Sequence, residues 1–71
     1  PINVSTLDRF DAGAEITPES LRDAGILKHL NEPIKILGNG DVTVALDVTA
    51  HAFSSSAKAK LEAAGGSVTE L

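Results

Sequence analysis

The sequence has no cysteine, no methionine, no tryptophan and no tyrosine in 71 residues, and two phenylalanines supply all its aromatic surface. Without cysteine there is no disulfide and no thiolate metal site. The two histidines, His29 and His51, lie far apart and lack a His-x-x-x-His spacing, which argues against a structural zinc. Long apolar runs are missing too: none approaches the ~20 residues that cross a bilayer as a helix. No signal-peptide pattern is visible. The lack of cysteine fits a reducing compartment. Positive charge is also scarce. Six Lys and Arg stand against ten Asp and Glu, a net charge of −4. That balance argues against non-specific nucleic-acid binding by charge alone.

What is present fits one small domain, residues 1–71. A chain of this length buries roughly 60% of the surface it exposes when unfolded, so its stability margin is thin. Charge is uneven. Residues 1–24 carry two basic and five acidic groups, and residues 25–71 carry four and five. A polyanion contact is therefore expected in the second part. Pro1 is not an initiator Met, and Pro1 to Val4 reads as a strand already in progress. The expectation is a processed product or a piece of a longer chain.

Ile2 and Val4 alternate with Asn3, as in a half-buried strand. Ser5 reads as a helix N-cap with Asp8 as its capping-box partner. Asp11-Ala12-Gly13 signals a loop. Thr17 then caps a second helix, with Pro18 at its first position and Glu19 at the positive end of its dipole. Ile16 and Leu21 occupy the positions of a hydrophobic staple. Gly25 ends that helix, and Ile26 follows as its apolar lock. Lys28 to Glu32 reads as a polar connection. Ile34 to Leu37 reads as a strand, and Gly38-Asn39-Gly40 as the tight turn of a hairpin. Val42, Val44, Leu46 and Val48 alternate with Thr43, Ala45, Asp47 and Thr49, which predicts one long strand. Ser54 caps a last helix whose inner face carries Ala57, Leu61 and Ala64. Gly65-Gly66 ends it, and Ser67 to Thr69 reads as a final strand. The order strand, helix, helix, strand, strand, helix, strand gives an α/β domain of short elements.

Catalytic patterns are weak. Ser54, His51 and Asp47 assemble a triad on paper only, because Ser54 lacks the G-x-S-x-G frame. Asp8 with Asp11, and Glu19 with Asp23, sit where helix starts and solvated faces favour acids. Gly38-Asn39-Gly40 lacks the Lys-Ser/Thr of a P-loop and does not open a helix. The start of the last helix is a better anion site. Ser54, Ser55 and Ser56 offer hydroxyls beside free N–H groups, with Lys58 and Lys60 one turn on. Plain capping explains the serines equally well.

One stretch resembles a known signature. Lys35-Ile36-Leu37-Gly38-Asn39-Gly40 fits a pattern of Lys, two aliphatics, a small residue, any residue and Gly. Val42, Leu46 and Val48 supply the spaced aliphatics that follow. Phe53, Ser54, Ala57, Leu61 and Gly65 close it. This is similar to a universal large-subunit ribosomal protein family, number fifteen in bacteria. Thr17 to Leu21 and Ala24 to Leu27 also look like that family. The resemblance implies an irregular α/β globular domain of short strand–strand–helix units, the C-terminal part of a protein whose basic N-terminal extension threads rRNA.

It implies a structural constituent of the large ribosomal subunit, not an enzyme, with no cofactor, no metal, no membrane contact and no small-molecule substrate. Partners would be large-subunit rRNA and neighbouring ribosomal proteins, on a cytoplasmic or organellar ribosome. Exposure and charge then single out Lys35, Asn39, His51, Ser54, Ser56, Lys58 and Lys60 as rRNA contacts, each positioning a phosphate and reading no base. The alternative is an acidic protein-interaction module without nucleic-acid binding, using the stretch from Asp8 to Asp23.

Overall fold

The computed structural model describes residues 1–29 and 31–71. Leu30, within the polar connection expected from Lys28 to Glu32, lies outside the described residues. The elements in order are β1 (Ile2–Asn3), α1 (Val4–Leu7), β2 (Glu15–Ile16), α2 (Pro18–Asp23), β3 (Lys35–Leu37), β4 (Asp47–Ala50), β5 (Ala52–Phe53), α3 (Ser55–Ala63) and β6 (Ser67–Glu70). The strands form two three-stranded sheets, ordered β1-β3-β5 and β2-β4-β6. Every pairing is parallel. Successive strands therefore alternate between the sheets, and the chain is an α/β domain of short elements.

This alternation corrects the hairpin expected around Gly38-Asn39-Gly40. Strands β3 and β4 belong to different sheets and do not pair. The long strand expected from Val42 shortens to Asp47–Ala50. The period-two pattern still marks the inward face: Leu46 and Val48 are buried, and Val42 and Val44 pack half-buried against the core. Residues 41–46 lack a ladder because other groups serve their backbone. The Asp8 carboxylate accepts the Thr43 N–H at 2.7 Å. Gly13 donates its N–H to the Ala45 carbonyl at 2.7 Å.

The start of the chain differs in a similar way. Helix α1 begins at Val4, its N-cap is Asn3, and no side chain caps it. Ser5 instead donates its backbone N–H to the Asn39 carbonyl at 3.4 Å. Asp8, expected to fold back on Ser5, is held by Thr43, which holds its carboxyl below the usual carboxylate value, chiefly through the Thr43 backbone N–H. Tertiary partners replace the local cap.

The other caps follow the sequence. Thr17 accepts the Ser20 N–H, and Ser20 in turn accepts the Thr17 N–H, a reciprocal box. Helix α2 ends with Gly25 at φ +78. Gly25 donates to the Arg22 carbonyl and Ile26 to the Leu21 carbonyl, the paired bonds of a Schellman ending. Arg9 adds a guanidinium hydrogen bond of 2.9 Å to the Ala24 carbonyl at that negative end. Helix α3 closes in the same way, with Gly65 donating to Glu62 and Gly66 to Leu61. Gly66 has a second role. A Cβ there would stand 2.8 Å from the Leu46 backbone nitrogen, so the α3–β6 turn rests directly on the main chain before β4.

The core is entirely apolar among the described residues: Val4, Leu7, Ile16, Leu21, Leu27, Ile34, Ile36, Leu46, Val48, Ala50, Ala57 and Leu61. It draws on both sheets and all the helices. A single residue, His51, separates β4 in one sheet from β5 in the other. No helix among the described residues is long and apolar enough to cross a membrane.

Candidate nucleic-acid interface

Strands β3 and β5 run parallel, with Lys35 opposite Ala52 and Ile36 opposite Phe53. Their carboxyl ends lead into the Gly38-Asn39-Gly40 loop and into the first turn of α3. These two segments meet. A Cβ on Gly38 would stand 2.8 Å from the Ala57 backbone nitrogen, so only glycine lets the loop lie on the helix start. Gly40, at φ +78, lies as closely against Ser5 of α1. The loop is thus wedged between two helices.

Lys60 fastens it. The Lys60 ammonium donates to the Gly38 carbonyl at 2.7 Å and to the Gly40 carbonyl at 2.6 Å. Two of its three N–H groups are occupied inside the molecule. The structure therefore gives Lys60 a positioning role that charge alone does not reveal.

Ser54 is the N-cap of α3, its hydroxyl accepting the Ala57 N–H at 3.1 Å. The Ser54 and Ser56 hydroxyls are 3.3 Å apart. Lys58 donates its backbone N–H to the Ser54 carbonyl. Among the described residues, the N–H groups of Ser55 and Ser56 have no partner, as expected for the first positions of a helix. They stand at the positive end of the α3 dipole. The Lys58 side chain, exposed on the next turn, makes no hydrogen bond or ion pair among the described residues.

The candidate contacts thus divide. Asn39, Ser54, Ser56 and Lys60 come together at the carboxyl end of β3 and β5, with Lys58 beyond them. Lys35 and His51 lie at the opposite end of these strands, roughly 10 Å away by the rise of a strand. Lys35 is exposed there. The His51 side chain is partly committed, because its Nδ1 accepts the Ile34 N–H at 2.9 Å. With Nδ1 accepting, Nε2 is the ring nitrogen left to donate, on an exposed residue. The paper triad dissolves, since Ser54 caps α3, His51 pins Ile34, and Asp47 accepts the Ser67 hydroxyl at 2.6 Å.

Sequence reasoning did not anticipate the clamp by Lys60, because nothing in the spacing relates position 60 to positions 38 and 40. It also passed over the acidic stretch's internal ties. Asp8 is bound to Thr43, and Asp23 lies 3.7 Å from the Arg22 guanidinium.

A family model described as "Ribosomal proteins 50S-L15, 50S-L18e, 60S-L27A" matches residues 1–69. A protein of Dehalococcoides mccartyi named large ribosomal subunit protein uL15 is 49% identical over 70 residues, covering 99% of this chain and 46% of that protein. One of the same name from Thermosipho africanus is 54% identical over 66 residues, covering 92% of this chain and 45% of that protein. The chain spans about half the length of these curated relatives.

Proposed function

The chain belongs to the ribosomal protein family that includes large-subunit L15, and from that membership we propose that it is a structural constituent of the large ribosomal subunit. The observation that carries the proposal is the family match, which runs through nearly every element of the fold. In this reading residues 1–71 are the C-terminal globular domain, docked on large-subunit rRNA and neighbouring ribosomal proteins. A basic extension elsewhere in the protein supplies most of the phosphate neutralisation. The domain turns over no substrate, and it works where ribosomes work, in bacteria the cytoplasm.

The rRNA-facing side is the end of the β1-β3-β5 sheet that carries the start of α3. A backbone phosphate fits the unpartnered N–H groups of Ser55 and Ser56, with the Ser56 hydroxyl and the free Lys58 ammonium beside it. Ser54 shapes this pocket by capping, and Asn39 borders it. Lys60 lends its charge while holding the loop. Lys35 and His51, both exposed, form a second, separate point of contact. The alternative module from Asp8 to Asp23 draws less support, because two of its carboxylates have partners within the molecule.

The test is binding of the chain to a large-subunit rRNA fragment as a function of salt. Lys58→Ala weakens binding across sequences and lowers the slope of log K against log salt by about one. An unchanged slope in that variant overturns the assignment of the α3 start. Absence of rRNA binding by the protein together with its own upstream sequence overturns the reading as a whole.

A further inference from the structure

The fold sorts charge in a way the linear sequence does not. The strands of the β1-β3-β5 sheet contain Lys35 and no carboxylate. The strands of the β2-β4-β6 sheet contain Glu15, Asp47 and Glu70 and no Lys or Arg. Glu15 and Asp47 stand directly opposite each other across the β2–β4 ladder. Like charges so placed repel. Asp47 is partly relieved by the Ser67 hydroxyl, and neither has a cation partner among the described residues.

This sheet also has an open edge. β6 is one of its two outer strands, the other being the two-residue β2, and with β4 it is the longest strand of the fold. Ser67 donates its N–H to Leu46 and Leu71 donates to Ala50, so alternate residues turn their main chain toward β4. The N–H groups of Val68 and Glu70 therefore point away from the sheet. Ser67, Thr69 and Glu70 are exposed. Folded proteins commonly protect such an edge with lysine, proline, a bulge or a covering segment. β6 has neither lysine nor proline.

We propose that the β6 edge takes an extended, lysine- or arginine-bearing segment of a partner protein by strand addition. Main-chain bonds to Val68 and Glu70 supply the register. Glu70 meets the added strand directly. Asp47, in register with Ser67, lies one strand further in, roughly 10 Å from the added chain and about a Debye length at physiological salt. Side chains alternate along β6, so Glu70 and Asp47 lie on opposite faces of the sheet, and Glu70 is the carboxylate that a lysine of the added segment meets at close range. A nucleic-acid backbone, an anion, is repelled by the same groups. This inference goes beyond the rRNA reading, places the partner on the other sheet, and uses none of the same residues.

The experiment follows backbone amides of the 71-residue chain by NMR while adding a capped heptapeptide that alternates lysine with valine or threonine. Val68 and Glu70 are expected to shift and their hydrogen exchange to slow at least tenfold, with weaker binding at high salt. Glu70→Gln, which keeps the N–H, weakens binding severalfold. Glu70→Pro, which removes it and leaves the ladder to β4 intact, abolishes the protection at Val68. A peptide N-methylated at alternate residues keeps its charge but loses its donors, and is expected not to bind.

Equal binding of the N-methylated peptide overturns the proposal. So do shifts confined to other strands, concentration-dependent shifts without peptide (a second copy at the edge), and a single-stranded RNA that perturbs the same amides in place of the peptide. Loss of peptide binding with rRNA binding intact defeats this inference alone. The reverse result defeats the rRNA reading alone.

Discussion

At the residue scale, several side chains act through the backbone of distant segments. His51 Nδ1 accepts the N–H of Ile34, a residue only 2% exposed. A buried N–H without a partner is costly, so this imidazole holds the corner between the sheets. Asp8 does similar work for Thr43, accepting both its N–H and its hydroxyl. Because the folded state depresses the Asp8 carboxyl below its ordinary value, its contribution is fully present above about pH 4 and is lost as pH falls through the lowered value. Wild type is therefore expected to lose stability below pH 4 more steeply than Asp8→Asn. Urea denaturation of both proteins between pH 6 and pH 2.5 checks this, and parallel curves would contradict it.

At the scale of elements, the helices α2 and α3 are legible because their ends are written locally. Thr17 and Ser54 supply acceptors, Pro18 supplies a preset φ, and Gly25 and Gly65 supply positive φ. These signals act over four or five residues and need no tertiary partner. Helix α1 lacks such signals, and its ends depend on Asn39 and Thr43, more than thirty residues away. The two-residue strands β2 and β5 left no periodic trace, since two residues cannot establish a period. The cap at Ser54 has a measurable weight. Ser54→Ala is expected to destabilise the domain by about 1 kcal/mol. Ser54→Asp restores most of that stability, but its negative charge lies where a phosphate is proposed to bind. Denaturation midpoints and rRNA binding of the two variants should therefore diverge.

At the scale of the whole molecule, a small core serves both sheets. Ile36 is fully buried on the central strand of its sheet, in register with Ile2 and Phe53. Ile36→Ala is expected to cost about 2–5 kcal/mol. A domain of 71 residues has a total stability of about 4–10 kcal/mol at typical values per residue. The variant therefore loses a large part of its margin. Its urea midpoint is expected to fall sharply with the slope unchanged, and a midpoint within error of wild type would show that Ile36 does not carry the core. Association with rRNA or a partner strand raises stability by mass action, which suits a domain with so thin a margin.

The net charge of −4 described the chain but not its surface. Folding places the carboxylates of Glu15, Asp47 and Glu70 on one sheet and Lys35 on the other, with Lys58 and Lys60 on α3. The sequence by itself determined what is local: the apolar positions that face inward, the caps and glycine endings of α2 and α3, and the motif from Lys35 to Gly65 that points to the family. These depend on propensities and spacings along a few turns of chain. Only the tertiary structure decided that Gly38-Asn39-Gly40 is a loop held by Lys60 rather than a hairpin turn, and that consecutive strands enter different sheets. Parallel pairing and side-chain clamps join residues ten to forty positions apart, and no periodicity in the sequence encodes such partners.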